Sequence, residues 1–210
     1  MRFDADLTRV EGNDQVDRIL DAAQALVARW GVAKTSMGDV ATEAGLSRAT
    51  VYRVFPGGKQ QVHLTLAHRE LTAYAQAISD AVDSGATFAD AMTRGLVVAA
   101  RLLRDHDAAQ FVLEHEPALF TPVLGFRGVD VVYRNAAARL GPHLTRFVPR
   151  PRADWAVEWA VRLFVSYIAN PDPDVELGDV EVTRSLVERF LVPAFAADRP
   201  EPVPATAAIS

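Results

Sequence analysis

Between Ser47 and Phe55 the chain reads SRATVYRVF, and its polar members are of the kinds that meet nucleic acid. An arginine guanidinium can fork onto guanine O6 and N7 or onto a phosphate. Tyrosine and threonine hydroxyls hydrogen-bond to phosphate oxygens. An alanine among them lets a helix come close to a surface. Wound as a helix, Val51, Val54 and Phe55 fall on one side. Ala49 and Arg53 fall on the other, flanked by Arg48, Thr50 and Tyr52. That outer side is either a face for DNA or the solvated side of an ordinary helical hairpin.

The elements around it favour DNA. Met37, Val40, Ala41 and Ala44 repeat at helical spacing, so a first short helix has one buried stripe. Gly45 ends it, as glycine does at a left-handed C-terminal position. Leu46 can plug the corner. Ser47 can cap the second helix, which is expected from about Arg48 to Phe55 and stops at Pro56-Gly57-Gly58. Helix, glycine turn and polar helix describe a helix-turn-helix whose second helix enters the major groove. Upstream, Val16, Ile19, Leu20, Ala23, Leu26, Val27 and Trp30 form a stripe capped by Asn13 or Asp14 and closed by Gly31. This helix supplies the floor for the motif.

Composition narrows the class. The 210 residues are 50 % hydrophobic and contain no cysteine, which removes disulfides, thiol catalysis and thiolate metal sites. No apolar run reaches transmembrane length and the N-terminus is polar, so a cytoplasmic protein with no membrane partner is expected. The net charge is −5. It is unevenly spread: Arg29, Lys34, Arg48, Arg53 and Lys59 face only Asp39 and Glu43 across the motif, whereas acids outnumber bases from Gln61 onward. A positive head on an acidic body suits a DNA reader.

The anchors Ile19-Leu20, Ala23, Gly31, Thr35, Val40-Ala41, Ala44-Gly45, Ser47, Tyr52 and Phe55, in that order, resemble the N-terminal domain of the TetR family of bacterial transcriptional regulators. The likeness runs from about Val16 to Lys59. It departs at Gly57-Gly58, where the family has one residue before the lysine, so Lys59 is expected slightly displaced. The residues expected at DNA are Thr35, Ser36, Ser47, Arg48, Ala49, Thr50, Tyr52, Arg53 and Lys59. The resemblance implies a homodimer, a near-palindromic operator of double-stranded DNA and a small-molecule pocket in the body.

The remainder reads as helices: about Lys59–Val82, Phe88–Arg104 capped by Thr87, a shorter one capped by Asp107, about Val123–Leu140, 152–170 and about Val180–Phe195. Gly141-Pro142 is read as a break. The segment 152–170 carries a narrow polar stripe, Asp154, Glu158 and Arg162, and is otherwise apolar. With the last helix it suits a four-helix interface about a two-fold axis, placing Trp155, Phe164, Ile168, Leu186, Phe190 and Leu191 at a dimer contact. Phe111, His115, Phe120, Phe126, Tyr133 and Trp159 are the candidates for a mostly apolar effector pocket, or simply core.

Catalytic chemistry is not expected. The histidines are scattered, and Glu114-His115-Glu116 would project its side chains in different directions on a helix. No nucleophile elbow or phosphate loop is present, and no cofactor or metal is expected. The chain therefore reads as all-α, not an enzyme: an N-terminal three-helix helix-turn-helix DNA-binding domain followed by an antiparallel helical ligand-binding and dimerisation domain. The expected boundaries are a flexible tail over 1–12, the DNA-binding domain over 13–59, the regulatory domain over 60–196 and a disordered tail over 197–210. The function expected is a homodimeric repressor released by an apolar small molecule through rearrangement of the long helix that begins at Lys59. A ligand-independent repressor, an activator, and a helical interaction protein without DNA binding are the alternatives.

Overall fold

A computed structural model describes residues 14–119 and 129–196. The tails expected over 1–12 and 197–210, and the pocket candidates Phe120 and Phe126, lie outside the described residues. The fold is all-α. Among the described residues the only β pairing is an isolated bridge between Asp172 and Val175.

The chain divides into two compact units. The first runs to Gln76 and takes the chain back from Leu102; the second holds Ala77–Arg101 and the residues from Val129 onward. The boundary expected after residue 59 falls in the first turn of α4.

In the first unit, α1 (Asp14–Lys34) buries Val16, Ile19, Leu20, Ala23 and Leu26, the stripe its periodicity predicts. Gly31 interrupts it at φ 83, ψ 171, a region open essentially to glycine alone. Helix α2 (Met37–Glu43) and α3 (Arg48–Val54) lay Val40, Ala41, Val51 and Phe55 on that stripe. The start of α4 (Gly58–Asp83) closes the core with Val62 and Leu66. Helix α6 (Asp107–His115) packs along α1, burying Ala108 and Val112 against Val27. Its N-cap is His106 rather than the expected Asp107: the ring Nδ1 accepts the Ala109 N–H at 3.1 Å.

In the second unit, α5 (Phe88–Arg104, whose last turn returns to the first unit) begins with the Thr87 hydroxyl accepting the Asp90 N–H. Gly95 of α5 meets α4 so closely that a Cβ there would press on Val82. Helix α7 (Val129–Leu144) runs through Gly141-Pro142, the expected break. Gly141 is there for closeness: a Cβ would collide with Asp154 of α8 (Arg150–Ala169), which packs along α7. The last expected helix is two pieces, α9 (Val180–Leu186) and a π-helical segment (Val187–Ala196). Pro193 lies inside the π segment, and proline has no N–H to give an α-helical ladder.

Gly31→Ala tests the strictest backbone position. The φ/ψ alone should cost roughly 1–3 kcal/mol. The added methyl would also meet Glu116 Oε1 and Phe111 Cε1, each at 2.8 Å. Urea denaturation should show a clear loss of stability, and a wild-type midpoint would refute the steric argument.

Candidate nucleic-acid interface

Helix α3 is built from its caps outward. The Ser47 hydroxyl accepts the Thr50 N–H at 3.1 Å and lies 2.9 Å from the Thr50 hydroxyl, so both begin α3 tied together. Gly45, at φ 63, turns the chain back from α2. Arg18 of α1 donates to the Ala44 carbonyl at 2.6 Å and so holds the end of α2. Burial of Val51 and Phe55 then decides which way α3 faces. Arg48, Ala49, Tyr52 and Arg53 are exposed and Thr50 is half-buried, on the side opposite that core.

Ser36 caps α2 in a reciprocal box: its hydroxyl accepts the Asp39 N–H at 3.2 Å, and the Asp39 carboxylate accepts the Ser36 N–H at 3.1 Å and its hydroxyl at 2.6 Å. The Ser36 hydroxyl and then its backbone N–H hold the Asp39 carboxyl below its ordinary value, and Arg48 adds to this. Arg48 itself lies over Gly38, where a Cβ would run into its guanidinium. Gly38 is thus the seat of Arg48, one of the residues expected at DNA. A glycine inside a helix in the sequence could have pointed to it.

Two expected contacts sit differently. Thr35 is not at the surface: it is 1 % exposed, and its hydroxyl donates to the Gly31 carbonyl at 2.8 Å. It is a buried brace between α1 and α2. Lys59 extends to the Ala33 carbonyl, to which Nζ donates at 2.9 Å, leaving further ammonium donors for a phosphate. The first turn of α4 is closed by Gln61, whose side-chain oxygen accepts the Gly57 N–H.

Residues 19–64 match the family described as bacterial regulatory proteins, tetR family. An uncharacterized HTH-type transcriptional regulator of Mycobacterium bovis is 32 % identical over 133 residues, 61 % of this chain and 67 % of the relative. Another, of Mycobacterium tuberculosis, is 29 % identical over 187 residues, covering 87 % of this chain and 88 % of its own. This chain belongs to the TetR family. The TetR family repressor AlkX of a Dietzia species shares the fold, with a TM-score of 0.61 at 22 % identity over 86 % of this chain and 96 % of its own. The chain is a DNA-binding transcriptional regulator, and α2–α3 is the helix-turn-helix of its family.

The described effector candidates fall in both units. Phe111 and His115 belong to the first unit, where their rings stack at 4.3 Å and Phe111 lies over Gly31. Tyr133 and Trp159 belong to the second. Tyr133 is buried under the Arg162 guanidinium, 4.2 Å from its ring centre, while Trp159 is 53 % exposed. Of the dimer candidates, Leu191 is 2 % exposed, buried within its own unit. Trp155 and Phe190 are exposed, and Phe164, Ile168 and Leu186 are half-buried.

The His63 imidazole gives a pH test of the DNA-reading unit. Burial, and then the nearby Lys59 charge, hold it below the ordinary histidine value, with Glu116 opposing. Its Nδ1 is buried without a hydrogen-bond partner. The unfolded chain therefore binds the proton at higher pH than the folded one. Stability should be full above about pH 6.5 and decline as the pH falls toward the folded value. Denaturation midpoints between about pH 5 and 8 should slope in that sense, and His63→Gln should reduce the slope. A slope unaltered by His63→Gln would assign it to other groups.

Proposed function

We propose that the chain is a homodimeric repressor that reads a near-palindromic operator with α3 and is released by an apolar small molecule. The observation that carries the DNA reading is the exposed face of α3, where Arg48, Ala49, Tyr52 and Arg53 stand opposite the buried Val51 and Phe55. Arg53 contacts a base edge or phosphate. Tyr52, Thr50, Ser47, Ser36 and Lys59 hold phosphates, and Ala49 admits the helix to the groove. Such a protein works in the cytoplasm, where the chromosome is. No helix among the described residues is long and apolar enough to cross a membrane.

The dimer reading is supported by Trp155 and Trp159 on α8 and Phe190 on the π segment, 38 %, 53 % and 51 % exposed. Exposed aromatics gathered on neighbouring elements mark an interaction surface. Two copies about a two-fold axis require half-sites about 34–36 Å apart or a multiple of that spacing. Release by a ligand needs only that it prefer the arrangement unable to bind DNA: coupling of about 1–3 kcal/mol alters affinity roughly 5- to 150-fold. AlkX, whose fold this chain shares, is a repressor implicated in n-alkane biodegradation, and a lipophilic effector for the present chain is in keeping with that.

Selection from a randomised duplex library tests the reading. The wild-type chain should enrich a two-fold-symmetric sequence, and Arg53→Ala should weaken its binding by about 1–3 kcal/mol if the contact is to a base. Light scattering should give twice the 22.9 kDa chain mass, and Trp159→Glu with Phe190→Glu should return it to the chain mass. Titrating an apolar effector with and without the enriched duplex should give unequal affinities, related by the same factor as the effector's action on DNA. A monomeric wild type would remove the dimer, and equal effector affinities the ligand switch.

A further inference from the structure

The six residues from Gly31 to Ser36 carry the chain from α1 into the helix-turn-helix, and a residue far along the sequence holds them. The Glu116 carboxylate, just past α6, accepts two backbone N–H groups: Val32 on Oε2 and Ala33 on Oε1, each at 2.8 Å. Gly31 makes room for it, because a Cβ would lie 2.8 Å from Glu116 Oε1 and 2.8 Å from Phe111 Cε1. The carbonyls of the same turn are also tied. That of Gly31 accepts the Thr35 hydroxyl, and that of Ala33 accepts Lys59 Nζ. The other end of α6 is pinned as well. His106 caps it through Nδ1, and Nε2 faces the Glu70 carboxylate of α4 at 3.2 Å and Gln24 of α1 at 3.3 Å. Thus α6 is bonded at both ends to the helices on which α2 and α3 rest.

We propose that Glu116 is a positioning residue for DNA reading, its carboxylate setting the turn from which α2 and α3 leave α1. It touches no DNA. With both N–H groups held by one rigid carboxylate, the direction in which the chain enters α2 is set, and through the shared core so is the pose of α3. The DNA-reading part of this chain therefore includes α6, outside residues 19–64 that match the family. The inference rests on α3 being the reading helix.

Glu116→Gln separates positioning from simple stabilisation. The amide keeps one oxygen and replaces the other with a donor, so one backbone N–H must face an NH₂ group. Binding is measured in the cold, on protein with the wild-type circular dichroism spectrum, to the duplex that the wild type enriches from a randomised library and to a scrambled duplex. Glu116→Gln should lose roughly tenfold in affinity for the enriched duplex, the scale of one good base contact, and should lose less on the scrambled one. A merely structural role would lower the denaturation midpoint and leave the preference between the two duplexes intact. Wild-type affinity and preference in both Glu116→Gln and Glu116→Ala would overturn the proposal, and if Glu116→Ala does not fold, Glu116→Gln decides alone. A wild type that enriches no duplex would overturn DNA reading by α3 and this inference with it, a result distinct from an unaltered Glu116→Gln.

Discussion

A helix of seven residues does not hold itself together in water. Isolated helices shorter than about 12–15 residues are marginal, and α2 and α3 have seven each. They exist because Val40, Ala41, Val51 and Phe55 are buried on the stripe of α1 and under Val62 and Leu66 of α4. Full burial of a side chain such as Val51 or Phe55 contributes about 1.5–3 kcal/mol. The same burial sets the rotation of α3 about its axis. The outward display of Arg48, Ala49, Tyr52 and Arg53 is thus a consequence of which residues of α3 face inward. The folding of α2 and α3 and the display of the polar side of α3 are governed here by the same hydrophobic packing.

Helices this short are mostly ends, and ends carry backbone groups without intrahelical partners. The chain meets that demand in two ways. Some partners are local: Ser36 with Asp39, Ser47 with Thr50, Gln61 with Gly57. Others come from distant sequence: Arg18 on the Ala44 carbonyl, Lys59 on that of Ala33, Glu116 on the Val32 and Ala33 N–H groups. Local caps decide that the helices form. The distant ones decide where they stand. In the second unit Arg146 does the same for α4, donating to the Val82 and Gly85 carbonyls at its C-terminal end, where a cation also suits the helix dipole.

This division explains what could be read without a structure. The helix-turn-helix was legible because each of its signals acts within a few residues: the stripe, the left-handed Gly45, the Ser47 cap and the polar side of α3. The burial of Thr35 was not legible because its neighbours in sequence are polar, while its hydroxyl is drawn in by the fold over Gly31. His106 was passed over because histidine is an uncommon cap, and what recommends it is Glu70 and Gln24, on other helices. Glu116 had no local signal at all, its partners being more than eighty residues earlier. Gly141-Pro142 looked like punctuation, yet Gly141 is a packing glycine whose reason, Asp154, lies on α8.

The body was less legible because apolar content does not say which side of a helix faces inward. In α8 the buried positions are Ala153, Ala156, Val157 and Ala160, small side chains that let it approach α7 closely. Trp155 and Trp159 carry far more apolar area and are left exposed. The polar stripe is satisfied within the unit: Arg150 pairs with Asp154, and Arg162 pairs with Glu158 while covering the Tyr133 ring. No unmet charge remains on that stripe to call for a partner, so any demand for one comes from the aromatic side. A surface with large aromatics outward and ion pairs already closed favours association by apolar burial. It also favours low salt sensitivity, because screening acts on exposed charges rather than on buried apolar area. The α3 face has the opposite physics, since arginine contacts to phosphate weaken steeply with salt. Raising the ionic strength should therefore strip the chain from DNA well before it disturbs the proposed association between copies, and that difference distinguishes the two proposed surfaces.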